Sequence, residues 1–163
     1  MVDLEAIPDF AIFHVGFVVT DLEASKAALT EIMGLSWASV MTDVVEVHEH
    51  GRAIEEELSF TYSLDGPPFV ELIESRQAVA WTCDNKPAGH ESIHHVGMFV
   101  PDVSVESRRL AGLGCEVEVS GRGKYEGHFA YHLGGAVPRL ELVRSAQRPD
   151  FEAWLSGGDF LKR

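Results

Sequence analysis

Two histidines and two glutamates recur at matched places in the two halves of this 163-residue chain. His14 lies in IFHVGFVV (residues 12–19) and His95 in IHHVGMFV (residues 93–100), each within a histidine–valine–glycine triplet. Glu71 lies in FVELIE (69–74) and Glu141 in RLELVR (139–144), both inside apolar runs. Side chains alternate between the faces of a strand, so Glu71 shares its face with Phe69 and Ile73 and looks into apolar surroundings. A carboxylate so placed either takes up a proton or finds a cation. Two neutral imidazoles and two carboxylates form a donor set for one divalent ion (zinc, nickel, cobalt, manganese or iron), and the set does not choose among them. An octahedral preference would leave two positions for water or substrate. A lone strand histidine is ordinarily a packing residue; repetition in matched positions makes the four a candidate shared site.

The elements that must carry these donors also repeat. Strands are predicted at 12–19, 69–74, 93–100 and 139–143 from their β-branched, aromatic and leucine content. Helices are predicted at about 22–33 and 103–112, each led by an aspartate (Asp21, Asp102) and ended by glycine. Shorter strands are expected at 36–41 and 54–63 in the first half, and at 115–119 and 126–133 in the second. The order is strand, helix, then three strands, performed twice. The first half is longer, and its extra residues are expected in loops around HEHGR and LDGPP. The chain therefore reads as a single domain over 1–163: module one at about 10–75, a linker at about 76–91, module two at about 92–145, and a short C-terminal helix at about 149–161.

Composition narrows the function. Hydrophobic residues make up 45% of the chain, which fits a packed core rather than disorder. A formal charge of −13 argues against nucleic acid, whose phosphates require a basic face. No apolar run approaches the roughly 18 residues that cross a bilayer, and the acidic start MVDLEAIPDF lacks a signal-peptide pattern, so no membrane partner and a cytoplasmic location are expected. Cys83 and Cys115 are too far apart in sequence for a C-x-x-C pair and read as free thiols. Phe60, Tyr62, Tyr125, Phe129 and Tyr131, with Trp37 and Phe99, are candidates to line an apolar cup. GRGKYEG at 121–127 reads as a mobile loop at its mouth.

FHVGFVVTDLEAS, FVELIE, IHHVGMFVPDV and YHLGGAVPRLELV together resemble the vicinal oxygen chelate superfamily, which includes glyoxalase I, methylmalonyl-CoA epimerase, extradiol dioxygenases and bleomycin-resistance proteins. The resemblance implies an α+β fold in which two tandem βαβββ modules form a cupped, mixed eight-stranded sheet around one divalent metal ion. It implies His14, Glu71, His95 and Glu141 as the metal ligands, and Glu141 as the base that moves a carbon-bound proton next to a carbonyl. HEHGR resembles the epimerase segment that supplies a second carboxylate base, which makes Glu49 its counterpart. The implied activity is a metal-dependent isomerase, epimerase or lyase acting through an enolate or enediolate. Its substrate would be a small molecule with vicinal oxygens or an acyl thioester, and the protein a homodimer. The alternatives are a non-catalytic small-molecule-binding or antibiotic-resistance protein on the same fold, and an extradiol-type dioxygenase. Glu71 departs from the epimerase pattern, where glutamine is usual, and follows bacterial-type glyoxalase I. The same extra carboxylate argues against the dioxygenase, which keeps that position open.

Overall fold

The computed structural model of the protein describes residues 3–75, 80–81, 93–134 and 137–158. Strand β1 (Ile12–Val18) leads into helix α1 (Leu22–Met33), followed by β2 (Met41–Glu49), β3 (Arg52–Tyr62) and β4 (Phe69–Ser75). The second module repeats the order: β5 (His95–Val100), α2 (Val103–Gly112), β6 (Glu116–Gly121), β7 (Phe129–Gly134) and β8 (Val137–Arg144), with α3 (Arg148–Leu155) closing the described chain. The eight strands close into a mixed barrel in the order β1-β4-β3-β2-β6-β7-β8-β5. The modules meet along two seams, the antiparallel pair β1–β5 and the short antiparallel pair β2–β6. Within each module the first strand runs parallel to the last, β1 to β4 and β5 to β8.

Both helices start where the aspartates put them. The Asp21 carboxylate accepts the Ala24 amide at 2.8 Å, and that of Asp102 accepts the Val105 amide at 2.9 Å, satisfying N–H groups the helix leaves unpaired. Leu22 packs α1 on Val19 and Leu72, and Val103 and Leu110 pack α2 on Val100, Ala130 and Leu142. Each such side chain, fully buried, stabilises the fold by roughly 1.5–3 kcal/mol. No helix among the described residues is long and apolar enough to cross a membrane.

Two expectations shift. The second strand of module one lies at Met41–Glu49, not at 36–41. Its acids and its histidine disguise it, yet they alternate correctly: Met41, Asp43, Val45 and Val47 share one face, with Thr42, Val44, Glu46 and His48 on the other. The extra length of module one accordingly goes into a long hairpin and not into a loop at HEHGR. Glu49 pairs with Arg52 across the two-residue turn His50–Gly51. Both turn residues have positive φ (46° and 78°), the backbone hand that matches strand twist. In module two, GRGKYEG forms a 3-10 turn at Gly123–Tyr125 that is tied to β2 by Lys124 and Tyr125, which both donate to Asp43. Most of the expected linker, including Cys83, and the end of the expected C-terminal helix lie outside the described residues.

Helix α3 is shorter than expected and packs on aromatic residues of the barrel strands. Phe151 and Trp154 join Phe13, Tyr62, Phe69 and Phe99 in one cluster. The N-terminal segment is clasped to it: Arg148, 6% exposed, donates to the Ile7 carbonyl at 3.0 Å and to Asp9 at 2.7 Å. The hydroxyl of Ser145, donating to Asp9, lowers that carboxyl below its ordinary value of 3.8; partial burial opposes the shift and Arg148 reinforces it. A carboxyl depressed by folding adds stability above its unfolded value and loses it as pH falls. Asp9→Asn is therefore expected to lower the melting temperature by about 2–4 °C at neutral pH, the equivalent of about 1 kcal/mol. Melting curves should converge with wild type as pH drops below 3.8. A gap that persists in acid would deny the clasp its ionic part.

Candidate metal centre

Register across four strands builds the site twice. In one row His95 on β5 faces Gly16 on β1, which faces Glu71 on β4, which faces Tyr62 on β3. In the other, His14 on β1 faces Gly97 on β5, Glu141 on β8 and Tyr131 on β7. The glycine of each module sits under the histidine ring of the other. A Cβ on Gly16 would lie 1.9 Å from His95 Cε1, and one on Gly97 would lie 1.8 Å from His14 Cε1. The repeated triplet thus has a physical reason: its histidine is a donor, and its glycine makes room for the donor of the partner module.

The four expected donors converge. His14 Nε2 lies 2.9 Å from Glu141 Oε2 and 3.4 Å from Glu71 Oε2; His95 Nε2 lies 2.9 Å from Glu71 Oε2 and 3.4 Å from Glu141 Oε2. The two Nε2 atoms are 2.8 Å apart, and one atom from each residue falls within 4.8 Å of all the others. Both imidazoles are 0% exposed, and the glutamates 5% and 7%. Despite these short distances, Glu71 Oε2 and Glu141 Oε2 find no hydrogen-bond partner of acceptable geometry. They cluster instead with the two imidazole nitrogens. Buried polar atoms are ordinarily satisfied, so this pattern fits a cation bound among them.

The electrostatics agree. Burial alone would lower the His95 imidazole, but the adjacent carboxylates of Glu141 and Glu71 overcome it and raise it to about 9. Burial would raise the Glu141 carboxyl, and His14 and His95 reverse this and lower it. The site asks for positive charge, and a proton on His95 supplies it when no metal does. Tyr62 and Tyr131 are pushed well above the ordinary phenol value, first by burial and then by Glu71 and Glu141, so both stay protonated. Their rings meet the histidines edge-on, Tyr62 at 5.2 Å from His14 and Tyr131 at 5.0 Å from His95.

Both carboxylates line a cavity whose walls are otherwise largely apolar. Phe60, Tyr62, Tyr125, Phe129 and Tyr131 take the lining positions expected of them, whereas Trp37 and Phe99 do not. Trp81, expected in the linker, is another wall residue, 1% exposed, and its indole nitrogen has no hydrogen-bond partner. Glu49 is placed elsewhere. It stands at the end of β2, accepts the Ala80 amide at 2.6 Å, and is not among the residues lining the cavity.

Alternation along the strand predicted at 93–100 would turn His94 away from His95. The strand begins only at His95, so period-two alternation does not bind its predecessor. The rings meet at 90° with Nδ1 of each 2.9 Å apart, and His94 Nε2 lies 2.6 Å from the Ala80 carbonyl oxygen. Burial, then the charges of His95 and Arg139, push His94 down to about 3, so it is neutral.

Residues 13–132 match the family described as the Glyoxalase/Bleomycin resistance protein/Dioxygenase superfamily. Among solved structures, methylmalonyl-CoA epimerase from Mycobacterium tuberculosis is similar at 18% identity, with 83% of this chain and 88% of that one covered and a TM-score of 0.56. A Streptomyces coelicolor methylmalonyl-CoA epimerase variant in complex with 2-nitronate-propionyl-CoA is similar at 21% identity, over 85% and 96% of the two chains, with a TM-score of 0.56. A variant of 4-hydroxymandelate synthase from Streptomyces coelicolor is similar at 16% identity over 85% of this chain and 39% of the other, with a TM-score of 0.52. At these identities the likeness is one of fold. No curated protein matches the chain by sequence.

Proposed function

This chain belongs to the Glyoxalase/Bleomycin resistance protein/Dioxygenase superfamily, and from that premise we propose that it is a metal-dependent isomerase or lyase that moves a proton next to a carbonyl. The observation that carries the reading is the convergence of His14, Glu71, His95 and Glu141 on one point, with the two glutamate Oε2 atoms left without hydrogen-bond partners. These residues would hold one divalent ion. When bound, that ion supplies Lewis-acid stabilisation of the negative charge that develops on a substrate oxygen. Glu141, which lines the cavity, takes the carbon-bound proton and returns it. Tyr131, protonated and in register beside Glu141, steadies the carboxylate before it takes the proton and again once it has returned it.

The cavity supports a substrate with adjacent oxygens at the donor end and an apolar body against Phe60, Phe129 and Trp81. An acyl thioester of the kind named for the epimerase neighbours is one such molecule. Two-base epimerisation needs a second carboxylate at the substrate, and Glu49 is committed to the Ala80 amide. That favours a single-base reaction on Glu141. Two carboxylates among four donors also favour proton transfer over oxygen activation, which works from two histidines and one carboxylate with facing positions open.

Protein purified without chelator is expected to carry about one equivalent of a divalent transition metal by elemental analysis, or to accept one on reloading. A preparation that holds no metal and cannot be loaded would replace this reading with a metal-free ligand-binding role for the same cavity.

A further inference from the structure

The two histidine donors are held differently. His14 Nδ1 is buried and has no hydrogen-bond partner. On His95 the same atom meets His94 Nδ1 at 2.9 Å, and His94 Nε2 meets the Ala80 carbonyl at 2.6 Å. A carbonyl only accepts, so His94 donates from Nε2. A neutral imidazole that donates from one nitrogen accepts at the other. His94 Nδ1 is therefore the acceptor and His95 Nδ1–H the donor. This leaves His95 Nε2 as the atom turned to Glu71 and Glu141. The far end of the chain of bonds is fixed in turn, since the Ala80 amide donates to Glu49 Oε1 at 2.6 Å.

We propose that His94 is a positioning residue: through the Ala80 carbonyl it sets which nitrogen of His95 carries the retained proton, and so presents Nε2 to a cation. The assignment rests on the reading of the four donors as a metal centre. It also explains why the repeat departs from itself at this place. The matched residue of module one is Phe13, whose ring is spent on packing, stacked on Phe99 at 3.9 Å. On its Nδ1 side the His14 ring meets packing alone, whereas that of His95 joins a hydrogen-bonded chain that reaches Glu49 on a different strand. Groups that orient a metal-binding histidine commonly govern affinity without touching the ion.

The test uses His94→Phe, which installs the aromatic residue that module one carries at the same place, and His94→Gln, which keeps an acceptor. Zn²⁺ affinity, measured against a competing chelator, is expected to fall about ten- to a hundredfold in His94→Phe and to recover substantially in His94→Gln. Circular dichroism and melting in EDTA should be unchanged in both. A second readout needs no metal: the ring Nδ1–H of His95, followed by ¹⁵N-edited NMR, should be protected from exchange in wild type and His94→Gln, and exposed in His94→Phe. Equal Zn²⁺ affinity in wild type and His94→Phe would overturn the proposal. If wild type itself takes up no Zn²⁺, the metal reading falls, and the NMR arm decides the role of His94 by itself. Protection that depends on His94 would keep the orienting role, and protection indifferent to it would end it.

Discussion

Gly97→Ala is expected to abolish cation binding although it substitutes none of the four donor residues. The added Cβ would stand 1.8 Å from Cε1 of His14, a distance no packed structure tolerates. The ring has nowhere to go: it is 0% exposed, edge-on to Phe13 at 4.3 Å and to Tyr62 at 5.2 Å. Overfilling a packed core costs about 1–3 kcal/mol by itself. The larger consequence falls on the site, because a displaced imidazole removes one ligand outright. Zn²⁺ affinity should drop by more than about a hundredfold, beyond what losing a group hydrogen-bonded to a ligand costs. Wild type, saturated with Zn²⁺ at about a thousand times Kd, should gain about 4 kcal/mol of stability, and the variant should gain almost none. Gly16→Ala should behave alike through His95, whose Cε1 would lie 1.9 Å from the new carbon. Gly112→Ala is the control, since a Cβ there meets nothing within 4 Å. If Gly97→Ala keeps both the affinity and the Zn²⁺-dependent rise in melting temperature, the rows of paired strands do not build a metal site.

Glu141→Gln should cost about 10²–10⁴ in the rate of proton exchange at the substrate carbon, the span expected for loss of a positioned general base. Glutamine keeps the shape and the register with Gly97 and Tyr131, so folding should survive, as circular dichroism would show. The assay is deuterium incorporation from D₂O across a panel of α-hydroxyketones, hemithioacetals of 2-oxoaldehydes and 2-substituted acyl thioesters, each carrying an exchangeable proton on a carbon beside a carbonyl. Glu71→Gln is the necessary comparison, because Glu71 occupies the same place in the other row. A wild-type exchange rate in Glu141→Gln would remove Glu141 from the role of base. Loss confined to Glu71→Gln, with metal still bound, would transfer the role to Glu71.

The convergence of the four candidate donors is legible because repetition is itself a geometric statement. Identical local sequences fold into identical units, and two units closing one barrel bring matched positions face to face. His94 was hidden by a rule applied one residue too far, for alternation holds only within a strand and β5 starts at His95. The strand β2 was hidden by its composition: Asp43, Glu46, His48 and Glu49 look like loop residues until the alternation of Glu46 and His48 with Val45 and Val47 is read. Glu49 illustrates a different limit. Its neighbours in sequence resemble a catalytic segment, but its partner, the Ala80 amide, belongs to a stretch outside both modules. Such a contact is invisible to any local pattern.

Periodicity, capping and repetition act over a few residues or between like segments, so the strand and helix order of the two halves, the capping aspartates and the four candidate donors can be read from the chain alone. The folded barrel alone reveals that Gly16 and Gly97 lie beneath the opposing imidazoles, that Tyr62 and Tyr131 stand beside the carboxylates, and that His94 reaches His95. Those facts depend on strand register and on where each strand begins. A shift of one residue sends every side chain to the other face, and register is fixed by the packing of the whole barrel.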